Sequence, residues 1–326
     1  MCPNNHVISG ILLCFWMALA GLARAQSGSL GGAPVCEASA LALLACPDPP
    51  EGRCLLVGDN EVRDRLFLYR LAASGPVASS RRSIMLEPTI SDVEALAGIG
   101  GAEVLVIGSH SRNKRCESRA NRRLLVGLEL GPGGASSSRL ALRTAVDVGS
   151  VALFGSAPTG TLAEVAAAFD RAEAAARRGD CGQALDIEGA VRVDSDLWLG
   201  LRRPLVAGRA VMLRWDRAAP GLRFDDARLL ELHGRGIRGL SAYEGNVYGL
   251  SEGSLWRFPN AALASRKPIV VEHMAVVPPR SEGVVIDAGR AIVVQDGEQG
   301  SPRCDKESRF VIVPLAASSE TPSRSF

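Results

Sequence analysis

Lysine is almost missing from this chain: only three of its 37 basic residues are lysines, and the rest are arginines. With 35 acidic residues the net charge is +2, and no basic tail or lysine/arginine run of nucleic-acid type appears. A nucleic-acid partner is therefore not expected. The sequence also lacks a nucleophile elbow, a phosphate-binding glycine loop and an HExxH pair, which removes three common catalytic classes. No CxxC or Cys/His spacing of metal-site type is present, so thiol ligation of a metal is disfavoured. Long apolar runs are absent too, with one exception.

That exception is ISGILLCFWMALAGL at residues 8–22, followed by Ala23 and Ala25 at cleavage-site spacing before Gln26. It reads as a signal peptide over residues 1–25, although its leading segment carries no Lys or Arg. A retained membrane anchor is the competing reading, and the run is short for a span. Removal of the leader implies a periplasmic or secreted protein with no membrane span, about 300 residues long. Both ends of that mature chain are polar or glycine-rich; residues 26–316 are expected to form one domain and residues 317–326 a disordered tail.

What the mature chain does have is a repeat. Five phrases place a charged or hydroxyl residue before Gly or Ala and a short apolar strand: SALALL from Ser39, EALAGI from Glu94, EGAVRV from Glu188, RGLSAY from Arg238 and EGVVID from Glu282. Each is followed by second and third strand-like segments, for example EVLVIGS at 103–109 and RLLVGLEL at 123–130. Four copies add a fourth, at 83–87, 140–148, 222–232 and 268–274. Four short strands per repeat of roughly 45 residues predict an all-β fold, a β-propeller of five blades. The last repeat stops after three strands, as expected if a segment from the other end of the chain completes that blade. A long β-sandwich would explain the strands but not the recurring phrase.

The spacing from Glu94 to Glu188 is about twice that of the other repeats. Within it, residues 161–179 predict a helix, with Thr161 and Glu164 as a capping box and Leu162, Val165 and Phe169 on one face. It is expected as an insertion at about 158–180 over one face of the disc. A sixth, degenerate blade at 140–185 is the alternative.

Six cysteines remain after the leader, an even number that suits disulfides in an exported protein. The propeller narrows their pairing, because alternate connections lie on opposite faces of the disc. Cys46 and Cys54 share a first-to-second turn. Cys116 and Cys181 share the opposite face on adjacent blades, and Cys36 and Cys304 meet where the ring closes. Three bonds are predicted: Cys46–Cys54, Cys116–Cys181 and Cys36–Cys304.

The leading residues Ser39, Glu94, Glu188, Arg238 and Glu282 should then ring one mouth of the central channel. One reading makes each Glu a pin that accepts backbone N–H groups from the next blade. The other makes the ring a site for a small-molecule ligand, anionic or polyhydroxyl, or for a hard cation such as Ca²⁺ held by Glu94, Glu188 and Glu282. The loop GSHSRNKRCESRANRR at 108–123 opens on the same face and is the most cationic stretch in the chain. With Arg202, its Arg112 suggests a rim that binds phosphate or carboxylate; the bland reading pairs these charges with local acids. His110 is the candidate proton carrier of a hydrolase, with Asp92 or Glu94 to orient it. A scaffold that binds another protein is the third possibility.

The strings SDVEALA, VLVIGSHSRNKR, LDIEGA, DLWLGLRRPL, GIRGLS and SEGVV resemble a family of exported bacterial proteins of unknown function with GSHS and IEG motifs. More distantly, the chain is similar to the esterase-like phytase group of propellers. The resemblance implies a propeller in an extracytoplasmic setting, and the distant group implies phosphoester or ester hydrolysis. Ala95 departs from the Gly of the other Glu-led phrases.

Overall fold

The computed structural model describes residues 26–48, 52–132, 136–143, 150–219, 221–297 and 307–315. The leader at 1–25, the tail at 317–326 and Cys304 lie outside the described residues.

The chain opens on β1 (Gln26–Ser29). Blade one follows with β2 (Ala38–Ala45), β3 (Arg53–Asp59), β4 (Arg65–Ala72), the two-residue β5 (Gly75–Pro76) and β6 (Arg82–Met85). Blade two is β7 (Val93–Gly100), β8 (Glu103–Gly108), β9 (Leu124–Leu130) and β10 (Ser136–Arg143). Two helices come next, α1 (Ser150–Phe154) and α2 (Gly160–Arg177). Blade three is β11 (Asp186–Val193), β12 (Asp196–Val206), β13 (Arg209–Trp215) and β14 (Phe224–Leu230). Blade four is β15 (Gly239–Tyr243), β16 (Asn246–Ser251), β17 (Ser254–Pro259) and β18 (Glu272–Val276). Blade five has β19 (Ser281–Asp287), β20 (Arg290–Gln295) and β21 (Arg309–Pro314), and β1 pairs antiparallel with β21 as its fourth strand. The five sheets form a ring, a five-bladed β-propeller. The two ends of the domain are thus woven into one sheet, as the truncated last repeat predicts.

The first strands β2, β7, β11, β15 and β19 touch one another around the axis. Each sheet is covered on both sides by its neighbours, so both faces of the inner strands are apolar. Successive side chains of β8 go to opposite wedges: Val104 and Val106 pack with blade one, Leu105 and Ile107 with blade three. The core is divided the same way, into five clusters that each fill one gap between blades.

The double-length repeat holds helices and no sixth sheet among the described residues. Helix α2 does not lie over the disc. Its buried face, with Val165, Ala166 and Phe169, enters the wedge between blades two and three, where Phe154 packs edge-on to Phe169 and beside Phe224. The helix begins at Gly160, whose φ of +57° turns the chain in, and Thr159 takes the cap position without a side-chain hydrogen bond. Thr161 and Glu164 therefore form no capping box.

A second correction concerns residues 268–274, expected as the outer strand of blade four. The strand is Glu272–Val276, and the preceding apolar stretch clips onto blade three instead. The Ile269 N–H donates to the Leu229 carbonyl (2.8 Å), and the Glu231 N–H donates to the Ile269 carbonyl (3.0 Å). An unpaired edge of blade three accounts for it: β14 offers free donors and acceptors that the passing chain satisfies. The disulfides Cys46–Cys54 and Cys116–Cys181 are formed as the face rule predicts. Among the described residues no helix is long and apolar enough to cross a membrane.

Candidate functional site

In four of the five repeats the leading residue owes its position to a backbone irregularity. In β2, pairing with β3 passes from Ala38 to Ala40 and skips Ser39. The same slip leaves Glu94 unpaired in β7, Glu188 in β11 and Glu282 in β19. A bulge adds one residue to one strand and re-aims its side chain. Here it lets a polar residue leave a strand whose neighbours all face apolar wedges. Arg238 holds the equivalent place immediately before β15, and its N–H donates to the Leu250 carbonyl at 2.8 Å.

The next position faces the following blade at short range, and this sets its size. A Cβ on Gly239 would lie 3.0 Å from the Glu282 carbonyl oxygen of blade five, and one on Gly283 would lie 3.1 Å from the Ser39 carbonyl oxygen of blade one. Ala95 meets this demand with a methyl group that sits in the wedge shared with blade three.

The bulges bring Glu94, Glu188 and Glu282 together: one carboxylate oxygen from each lies within 4.8 Å of the others. All three residues are at most 9% exposed. Arg238 Nη1 donates to both oxygens of Glu282, at 2.6 and 2.7 Å, and stands 3.6 Å from Glu188 Oε2. Its Nη2 lies 3.5 Å from the exposed Glu252. Arg202 donates to Glu188 Oε1 at 2.7 Å and lies 3.5 Å from Asp186. Glu188 Oε2 is buried and accepts no hydrogen bond. Glu94 receives neither a hydrogen bond nor an ion pair among the described residues.

Burial and mutual repulsion act on this group in the same direction. Desolvation, then Glu188 and Asp92, hold the Glu94 carboxyl well above the usual carboxylate range. Burial, then Asp186, does the same to Glu188. Asp186 is pushed up to about 7, chiefly by burial. Five interacting carboxylates, with Asp92 as the fifth, face three guanidiniums, those of Arg122, Arg202 and Arg238. When all are ionised, two negative charges remain uncompensated.

The other expected site residues fall out differently. Ser39 is 1% exposed, and its hydroxyl donates to the Val93 carbonyl, so it ties blade one to blade two. The acidic pins do not form in that way; arginines, not backbone N–H groups, meet Glu188 and Glu282. Arg112 is drawn away from the rim into a buried ion pair with Glu173 of α2 at 2.5 Å, and it also donates to the Cys116 carbonyl. The neighbouring charges are paired locally, Arg119 with Glu117 and Arg122 with Asp92.

His110 is 2% exposed, with φ +60° and with Nδ1 at 2.8 Å from the Gly108 carbonyl. Since a carbonyl only accepts, Nδ1 carries the proton, and Nε2 is buried without a partner. Burial lowers its pKa to about 4, so the ring is neutral. Asp92 is occupied by Ser109 Oγ (2.5 Å) and Arg122 (2.8 Å), and no carboxylate touches His110 among the described residues.

Asp186 is the member of the site not singled out from the sequence. Its signal was present: Asp-x-Glu recurs in SDVEALA and LDIEGA, a second acid standing at the same place ahead of two of the repeated phrases.

No family model matches the chain, and no curated protein matches it. Solved structures similar to it include the nidogen/laminin complex, at 10% identity and a TM-score of 0.40 over 80% of this chain and 72% of that one. A putative oxidoreductase (glucose dehydrogenase) of Thermus thermophilus has 12% identity and a TM-score of 0.40, covering 89% of this chain and 100% of that one. The WD40 domain of Pan2 from Neurospora crassa has 11% identity and a TM-score of 0.37, covering 88% and 95%. Likeness of this degree speaks to neither ligand nor activity.

Proposed function

We propose that this chain is an exported binding protein whose channel mouth holds a hard divalent cation, with Glu94, Glu188 and Glu282 as its ligands. The observation that carries this reading is Glu94: a nine-tenths buried carboxylate with no positive partner among the described residues, set beside two others. A buried carboxylate without a counter-charge is costly, and a cation at the point where the three converge removes that cost. Three oxygens within 4.8 Å of one another can share one ion with calcium–oxygen distances of about 2.3–2.6 Å, after at most small side-chain adjustments. The cluster keeps a net negative charge even with its arginines in place, which suits a cation. It disfavours an anionic ligand in the same place, because Arg202 and Arg238 are already engaged by acids. The phytase resemblance favours hydrolysis, but the residue expected to move the proton, His110, faces a carbonyl.

The test is calorimetric titration of the EDTA-treated protein with CaCl₂, together with thermal melts. Calcium should raise the melting temperature of the wild type, since a ligand at 100 times its Kd stabilises by about 2.7 kcal/mol. Glu94→Gln should abolish that rise yet melt higher than the wild type in EDTA, because it removes the uncompensated charge. A wild type that neither takes up heat-detectable calcium nor melts differently in EDTA removes the cation site.

A further inference from the structure

The proposed ion would share its place with a charge that is already there. Arg238 Nη1 bridges both oxygens of Glu282 and reaches toward Glu188 Oε2, so it stands among the same carboxylates that converge as ligands. A divalent ion and a guanidinium a few ångströms apart in a largely buried site repel strongly. Both cannot keep their positions. The same side chain, however, has a second acceptor within reach. Its Nη2 lies 3.5 Å from Glu252 Oε1, whose side chain is 69% exposed, whereas the Arg238 side chain is only 14% exposed. Glu252 lies in the turn between β16 and β17, one residue past the end of β16, and is far more exposed than the carboxylates of the cluster.

Resting on the cation reading, we propose that Arg238 is a tethered counter-ion of the channel mouth: it neutralises Glu282 in the free protein, and an arriving calcium-sized cation displaces it onto Glu252. Arg238 is then a specificity-determining residue and not a ligand. It sets a threshold, because only an ion that binds the three carboxylates better than a guanidinium does will enter. Monovalent ions have half the charge with which to compete and are kept out. The exchange also explains why a guanidinium occurs in one repeat of the ring while its counterparts in three others are acids. A fourth acid would demand more positive charge than one ion brings, whereas an arginine on a long, rotatable stem can leave the site without leaving the rim.

The two readings are separated by calcium titrations of three full-length proteins at fixed pH and ionic strength: wild type, Arg238→Met and Glu252→Gln. Arg238→Met removes the competitor and should bind calcium at least tenfold more tightly than the wild type. Glu252→Gln, at an exposed position that leaves the core untouched, should weaken calcium binding two- to fivefold, because the displaced guanidinium loses its acceptor. A wild type that is silent while Arg238→Met binds overturns the exchange, because the ion then does not displace the guanidinium in the native chain. If the wild type binds and Arg238→Met binds equally or more weakly, the exchange is wrong and the cation site stands. If all three are silent, both fail. Should Arg238→Met not fold, Glu252→Gln decides alone, and unchanged affinity there overturns the proposal.

Discussion

His110 illustrates how a residue picked for its chemistry can be used for something else. Its backbone sits in the left-handed region that Asn and His tolerate better than most residues, and its ring fills a buried place beside the second strand of blade two. With its pKa lowered to about 4 in the folded protein against 6.5 unfolded, the unfolded chain takes up the proton first as pH falls. The stability that depends on a neutral ring is therefore complete above pH 6.5 and is lost progressively down to about pH 4. The shift corresponds to about 3 kcal/mol. The raised carboxyl groups of the mouth slope the other way, so the difference between the wild type and His110→Asn is the informative quantity. Chemical denaturation at pH 7.5 and pH 4 should show the two proteins converging in stability at the lower pH; parallel curves would refute the assignment. Arg112 teaches a related lesson. Its loop was legible as cationic, but the acid that claims it, Glu173, lies 61 residues away, and no local pattern announces that pairing. By contrast Glu94, Glu188, Arg238 and Glu282 were legible as a set, because a position that stays polar inside a repeated apolar phrase needs a common reason.

At the scale of elements, the sequence announced strands well and their exceptions poorly. Apolar phrases of the right length became strands wherever a blade needed them. The stretch at 268–271 has the same look but is spent on pairing with blade three, since strand propensity reports a fit to a pleated surface without saying which surface. The bulges were hidden too: one extra residue changes no composition, yet it decides whether Glu188 lies in a wedge or at the mouth. The disulfides show the opposite case, where topology makes a prediction that spacing cannot. Cys116–Cys181 spans 65 residues and fastens the loop after β8 to the segment after α2, while Cys46–Cys54 spans only 8. In the chain-entropy model these separations correspond to about 4 and about 2.5 kcal/mol. Replacing both cysteines of the longer bridge by serine should therefore lower the denaturation midpoint more than the same change at the shorter one. Equal losses would mean that the native loops, and not the unfolded chain, control the effect.

For the whole molecule, closure is the dominant fact. A propeller blade is an open sheet until its last strand arrives, and here that strand is β1, in register with β21 from Gln26 opposite Ile312 to Ser29 opposite Arg309. Gly28 lies under the ring of Phe310, where a Cβ would meet Cζ at 2.4 Å. A chain beginning at residue 31 should lose cooperativity, melting in a broader transition with blade five opening first, and hydrogen exchange should rise in β21 before any other inner or middle strand. Uniform exchange across the five blades would show that β1 is an ornament. The fivefold plan itself was readable from the recurring phrase and its spacing. What spacing could not give is the depth of the wedge between blades two and three, which takes in α2 where a disc-like reading would set the helix outside.

The ring of leading residues has one further consequence. Four bulges and the position just before β15 present Ser39, Glu94, Glu188, Glu282 and Arg238 at one place in each repeat, so a scaffold with near rotational symmetry carries a lopsided charge. The uncompensated acid belongs to blade two and its nearest ally to blade three, while blades four and five largely cancel each other and blade one is neutral. Anything seated at the mouth is pulled off the axis toward one sector and has a single best azimuth. A fold built by repetition thereby acquires a compass bearing, and it does so by varying the leading side chain from copy to copy.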